Sequence, residues 1–242
     1  MYQNRVYRSL HKGRDLVYFT ATVEQTDLHI GAPQMLKKES LEKIRFCRSQ
    51  IEAYIKKDPR FLVSLEPLAY SADAPDIVRW MCEAASKAGV GPMAAVAGAI
   101  SQKVGEALLT LCPEVIVENG GDIFIKTNEE RVIAIHAGTS PLSQRLGLRI
   151  LPQDTPCGIC TSSGKVGHSL SLGKADAAVV LSHDTALADA VATAVGNRVK
   201  TPEDIEGALR FVQGIDGIVG ALVIIDDRMG AWGRLRLEPI RP

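Results

Sequence analysis

No excess of charge of either sign marks this chain of 242 residues: 28 lysines and arginines balance 28 aspartates and glutamates. Without a net basic field there is no global electrostatic draw toward nucleic acid or an anionic membrane surface, so neither is expected as a partner. No apolar run reaches the ~18 residues that a membrane span needs. The first 25 residues lack the long apolar core of a secretory signal. The five cysteines, Cys47, Cys82, Cys112, Cys157 and Cys160, are an odd number in a long chain, which argues against a disulfide framework. These absences make a cytoplasmic protein the expectation. No linker, low-complexity segment or clear internal repeat divides the chain, so one domain over 1–242 is expected. A composition of 46% hydrophobic and 23% charged residues fits an ordinary globular protein.

What is present is organised around Asn119-Gly120-Gly121-Asp122. The flanking runs Val115-Ile116-Val117 and Ile123-Phe124-Ile125 are too short for helices and rich in strand formers, so two strands meet at this turn. Paired glycines take positive φ and leave room for close approach. A plain hairpin turn and a ligand-contacting turn both remain open. Before it, alternation predicts strands over 5–10 and 15–23, joined as a hairpin, with a strand-like stretch over 26–30. Leu41, Ile44, Ile51 and Ile55 predict a helix over 34–57, its charged face turned to solvent. Residues 61–71 read as loop, and 75–87 as a second helix. A third, over 93–111, carries Ala94, Ala95, Ala97, Gly98, Ala99, Ser101 and Gly105 on a face nearly bare of side chains. Such a face suits close approach of a ligand or tight packing on another element. Strands are expected over 131–136, 145–151 and 177–181, and helices over 184–197 and after Thr201-Pro202-Glu203-Asp204. A last hairpin is expected from 217–225 and 232–237. The order gives an α+β fold with helices layered on a largely antiparallel sheet.

Chemistry is most legible at Asp189 and Thr193, the one charge and one hydroxyl in the ten residues 186–195. Four apart on a helix, they share one face. A carboxylate among alanines and valines needs solvent, a counter-charge or a metal. Two oxygen donors on one face suit a hard cation such as Mg2+, which shares itself with waters and phosphates. A salt bridge to an arginine or lysine is the other reading. A second concentration runs from Cys157 to Ser169, with Thr161, Ser162, Ser163, Gly164, Lys165 and His168. As a loop, its amides would cradle an anion. It is not a P-loop, because five residues rather than four separate Gly158 from Gly164 and Val166 replaces the hydroxyl. Cys157 and Cys160 form a lone CxxC with no second pair for zinc. No metal-ligand spacing links His136, His168 and His183.

Taken in order, these segments resemble the ApbE superfamily of flavin transferases, and most of all a bacterial and archaeal branch of it. Residues 94–109 resemble the family's small-residue helix, Asn119-Gly120-Gly121-Asp122-Ile123 its NGGDI turn, Ser162-Ser163-Gly164 its TSG loop, and Asp189-Ala190-Val191-Ala192-Thr193 its DALAT helix. The resemblance implies a T-fold-related α+β domain, FAD or FMN as ligand, and Mg2+-dependent cleavage of FAD. It also implies transfer of FMN to a target flavoprotein as an activity, and it leaves a homo-oligomer open. It implies Asp189, Thr193 and a carbonyl at Ala95 as metal ligands, and Asp189 and His168 as catalytic groups. Cofactor contacts are implied at Asn119, Gly120, Gly121, Asp122, Thr161, Ser162, Ser163, Gly164 and His168. Three departures stand out. Pro92 replaces the family's aspartate, Gly98 replaces its lysine or glutamate, and the Asp-Pro of its HIIDP segment is missing after His168. The expected activity is therefore either FAD cleavage with FMN transfer or non-catalytic binding of a flavin or other pyrophosphate cofactor. A purely structural module would follow if the glycine turn and the Ser162-Ser163-Gly164 segment lay far apart.

Overall fold

Hydrophobic alternation and helical stripes assemble here into three layers, seen in a computed structural model that describes residues 15–164 and 173–240. The strand expected over 5–10, and Lys165 and His168, lie outside the described residues. β1 (Val17–Val23) and β2 (Thr26–Ala32) pair antiparallel, Val17 opposite Ala32. α1 (Lys37–Lys57) buries Ile44, Cys47, Ile51 and Tyr54 along one stripe, the spacing of an amphipathic helix. A short helix, α2 (Arg60–Val63), interrupts the predicted loop, its Phe61 buried against Tyr54. α3 (Asp76–Ala88) ends where Gly89 takes φ 70, the left-handed stop that glycine provides. A 3-10 turn, Pro92–Ala95, leads into α4 (Val96–Leu108).

The middle of the chain supplies β3 (Val115–Asn119), β4 (Asp122–Lys126), β5 (Arg131–Ala134), β6 (Leu146–Ile150) and β7 (Cys157–Ser162). Then come β8 (Ala177–Ser182), α5 (Thr185–Arg198), α6 (Asp204–Gln213), β9 (Ile218–Ile225), β10 (Arg228–Gly233) and β11 (Leu237–Pro239). Among the described residues, eight strands form one sheet in the order β1-β2-β3-β4-β7-β8-β9-β10. Every neighbouring pair in it is antiparallel. A smaller sheet, β11-β6-β5, packs on one face through Ile133, Leu148 and Ile150, which meet Ile123, Ile125 and Ile159. The helices cover the other face, where Phe124, Val180 and Val223 join Ala99, Val104, Leu187 and Val191. The α+β expectation is met.

The main difference from the sequence reading is β7. The stretch expected to open an anion-cradling loop is instead a central strand, Ile159 opposite Ile123 on β4 and Gly158 opposite Ser182 on β8. Its glycine and hydroxyls are weak strand formers, and pairing on both sides overrides them. Strand alternation sends residues three apart to opposite faces. Cys157 therefore lies in the small-sheet layer and Cys160 among the helices, so the CxxC pair cannot share a disulfide or a metal. The last hairpin also turns sooner than expected. Asp226 and Asp227 alone make the turn, Asp226 at φ 53, and Leu237 joins the small sheet. Asp204 does reach back to the Thr201 amide at 2.8 Å, as a capping partner would, but α6 begins only at Asp204.

The bare face of α4 is spent on packing. A Cβ at Gly105 would stand 2.2 Å from the Phe124 ring, and one at Gly98 would stand 2.3 Å from the Thr185 carbonyl oxygen. α4 thus lies against β4 on one side and α5 on the other. Gly98→Ala tests this closeness. In an open helix the change would stabilise by about 1 kcal/mol. Here overpacking against backbone reverses the sign, and chemical denaturation should show a loss of about 1–3 kcal/mol.

Candidate functional site

Where α4 begins, β3 and β4 turn and α5 passes, a cluster of polar groups is held between apolar layers. α4 has no capping side chain of its own, because Ala95 occupies its N-cap position. Asp189, from the middle of α5, supplies what is missing. Its Oδ2 accepts a hydrogen bond from the Gly98 amide at 2.8 Å, and the Ala97 amide also stabilises its charge. These are the second and third amides of the helix, the ones an N-cap carboxylate serves. Asp189 is thus a cap contributed from another helix. On the other side, Asn119 Nδ2 donates to the Ala97 carbonyl at 3.1 Å.

The glycine turn stands next to this junction. Gly120 and Gly121 take φ 68 and 111, so the hairpin needs glycine at both positions. The Gly121 amide donates to Glu118 Oε1 at 2.9 Å. Asp122, first residue of β4, faces the helices on the same side as Phe124. Cys160 lies beside it on β7, with its Sγ 3.4 Å from the Thr185 carbonyl. Further along β7, Ser162 reaches Gly196 of α5, where a Cβ would lie 3.2 Å from its Oγ. α5 therefore runs along β7, with Gly158 against Thr185 at one end and Ser162 against Gly196 at the other.

The structure brings Asn119, Gly120, Gly121, Asp122 and Asp189 into one corner, with Ala95 just before the first turn of α4. Thr193 is half-buried one turn beyond Asp189. The glycine turn and the Ser162-Ser163-Gly164 segment are neighbours, the Thr161 carbonyl lying 3.5 Å from the place of a Cβ on Gly121. Thr161 contributes backbone there, since alternation turns its side chain to the small-sheet side. Gly164, just past β7, donates its amide to the Ala175 carbonyl at 2.9 Å. The counter-charge reading of Asp189 is not met: among the described residues its partners are backbone amides, not an arginine or lysine.

Sequence reasoning missed three members of the corner. Glu118 was signalled by a lone charge in an apolar strand. Cys160 stands in the sequence only as half of a CxxC. Thr185 is fully buried with no hydrogen-bond partner for its hydroxyl among the described residues, and only its placement four residues before Asp189 hinted at a shared face. Two open concavities, of about 330 Å3 beside Tyr54, Lys57 and Asp73 and about 290 Å3 beside Ser140, Asp176 and Asp226, lie elsewhere and include none of Asn119, Asp122 or Asp189. At Asp189 itself the packing is close, the place of a Cβ on Gly98 lying 2.8 Å from its Cβ.

The family described as AbpE bacteria matches the chain over residues 8–213. The chain belongs to this family. Its relatives include a UPF0280 protein of Methanocella arvoryzae, 45% identical over 214 residues, covering 88% of this chain and 87% of that protein. Another, from Methanosarcina acetivorans, is 45% identical over 196 residues, covering 80% and 77%. Among solved structures, the fold is similar to the apo flavinyl transferase ApbE of Pseudomonas stutzeri, with TM-score 0.61, 14% identity, and coverage of 91% of this chain and 94% of that one. It is also similar to the ApbE protein of Thermotoga maritima, with TM-score 0.61, 10% identity, and coverage of 86% and 94%. The fold is that of the ApbE-like superfamily, as the motif order implied.

Within this family member the corner is electrostatically unbalanced. Asp122 and Asp189 are each only 8% exposed. Burial pushes the Asp189 carboxyl well above its ordinary range, the charge of Asp122 adds to that, and the Gly98 and Ala97 amides oppose it. Burial likewise pushes Asp122 up, to about 7, with Glu118 adding and Cys160 and Thr161 opposing. The Cys160 thiol is raised by burial and then by both aspartates, which leaves it unreactive. A carboxyl raised on folding binds more protons in the folded than in the unfolded chain, so stability is full at low pH and is lost as pH rises through the folded value. With a chelator present, unfolding free energy should fall between about pH 4, where unfolded carboxyls titrate, and about 7, where Asp122 does. Asp122→Asn removes its share of that slope. Urea titrations should show the variant gaining on the parent chain by at least about 1 kcal/mol across the window.

Proposed function

We propose that this protein binds a flavin nucleotide through a hard divalent cation of the Mg2+ class, in the manner of an ApbE-like flavin transferase acting on a target protein. The observation that carries this reading is the pair of buried acidic side chains, Asp122 and Asp189, in a glycine-lined corner, where backbone amides rather than an arginine or lysine hold Asp189 among the described residues. Two like charges held out of water favour a cation between or beside them. Among the described residues no group of three or more His, Cys, Asp or Glu side chains is placed to hold a metal. Mg2+ is held by one or two carboxylates, which such a pair can supply, with waters and substrate phosphates.

Asp189 would hold the cation with the oxygen that the Gly98 amide leaves free, joined by Thr193 and the Ala95 carbonyl. When bound, the cation supplies Lewis-acid neutralisation of pyrophosphate charge. The chain's own part is to orient. Asp189 is fixed by two amides, the glycine turn gives a side-chain-free floor at Gly120 and Gly121, and Ser162 and Ser163 offer hydroxyls at the end of β7. His168 is proposed as a proton carrier to the leaving oxygen. The location proposed with this activity is the cytoplasm; among the described residues no helix is long and apolar enough to cross a membrane. Gly98 favours a second reading, binding without turnover. A side chain there would meet the Thr185 carbonyl, so the position where the family carries a lysine or glutamate has no functional group.

The test is incubation of the purified protein with FAD and Mg2+ while FMN release and flavin retention are followed by chromatography. Turnover by the parent chain and its loss by about 100-fold or more in Asp189→Ala, the effect of removing a group that stabilises transition-state charge, supports the enzyme. Tight flavin retention without release supports the binding protein. Neither retention nor release by the parent chain removes the flavin reading.

A further inference from the structure

Two hydrogen bonds of this corner meet on one chemical unit. The carbonyl that accepts from Asn119 Nδ2 at 3.1 Å belongs to Ala97, and the amide that donates to Asp189 Oδ2 at 2.8 Å belongs to Gly98. These are the two ends of a single planar peptide. We propose that Asn119 is a positioning residue for Asp189, acting through the Ala97–Gly98 peptide rather than touching a ligand itself.

The physical basis is twofold. Donation into a peptide carbonyl polarises the N–H at the other end, so the bond to the carboxylate strengthens when the Asn119 bond is made. Gripping both ends of a rigid plane also fixes its rotation, and with it the direction from which Oδ2 is held. Asn119 is itself well anchored. It ends β3 with Leu28 on one side and Asp122 on the other. A route of covalent and hydrogen-bonded links therefore runs from the central sheet, through the first turn of α4, to one oxygen of a carboxylate on α5. α4 supplies no capping side chain of its own at this end, its N-cap being Ala95. Asn119 thus moves from an expected cofactor contact to the support behind the cation-binding carboxylate. The consequence for a cation rests on the proposed reading of Asp189; the geometry of the relay does not.

The experiment separates the two. In 15N-labelled protein without added cation, the Gly98 amide proton is expected far downfield and protected from exchange. In Asn119→Asp, which keeps the shape but turns the donor into an acceptor, and in Asn119→Ala, it should move upfield and exchange faster. The amides of the last turn of α4 should stay in place, which a general loosening of the fold would not allow. Mn2+ titration of the same samples should show affinity weakened by about 10-fold or more, the usual effect of removing a group behind a metal ligand. An unmoved Gly98 amide in either variant that folds overturns the relay, whatever the cation does. If the parent chain binds no Mn2+ while the Gly98 amide still responds to both substitutions, the relay stands and the cation reading fails.

Discussion

One carboxylate closing the open end of a neighbouring helix is the contact on which this corner of the structure depends. α4 starts without a capping side chain, and its second and third amides would otherwise be buried donors with nothing to receive them. Leaving such groups unmet costs about 1–3 kcal/mol each. Asp189 meets them from α5. The contact is possible only because residue 98 is glycine, so the two helices approach until backbone touches side chain. Close approach, capping and burial of the charge are one event.

That event has an electrostatic remainder. The amides of a helix start offset part of a negative charge, but Asp122 arrives at the same place from β4, and Glu118 supports the turn that presents it. The fold therefore concentrates acidic groups where three elements converge, beside backbone stripped of side chains. Such a concentration is unfavourable in an isolated chain and sensible if a cation completes it. The same packing explains what the corner does not do. Cys160 lies within it, but its thiol is kept protonated by burial and by the two aspartates, so nucleophilic or redox chemistry at sulfur is disfavoured. Cys157 is separated from it by the thickness of the sheet.

Much of the fold was legible because it depends on local periodicity. α1, α3 and α5 are found within a few residues of their expected limits, and β3 and β4 flank their glycine turn as expected. The order of motifs from the small-residue helix to Asp189 led to the correct superfamily. β7 was not legible. Its residues have no strand pattern strong enough to outweigh glycine and hydroxyls, and its conformation comes from the two strands that flank it. The short α2 and the separate β11 were missed for the same reason: three or four residues carry too little periodic signal, and contacts with distant segments define them. At the site, Asp189 was marked by its apolar surroundings. Its partners were not, since backbone amides leave no trace in side-chain spelling and Ala97 and Gly98 lie 91 and more positions away in the chain.

Side-chain spacing by itself determined that Asp189 and Thr193 share a helix face and that Gly120 and Gly121 make a tight turn, because both follow from the geometry of a single element. It could not decide whether the bare face of α4 received a neighbour, nor whether the Asp189 carboxylate would cap another helix. Those outcomes depend on which elements pack together and how closely. Only the assembled layers decided them, by bringing the backbone of α4 against α5 and by using Asn119 and Asp189 to hold one peptide from both ends.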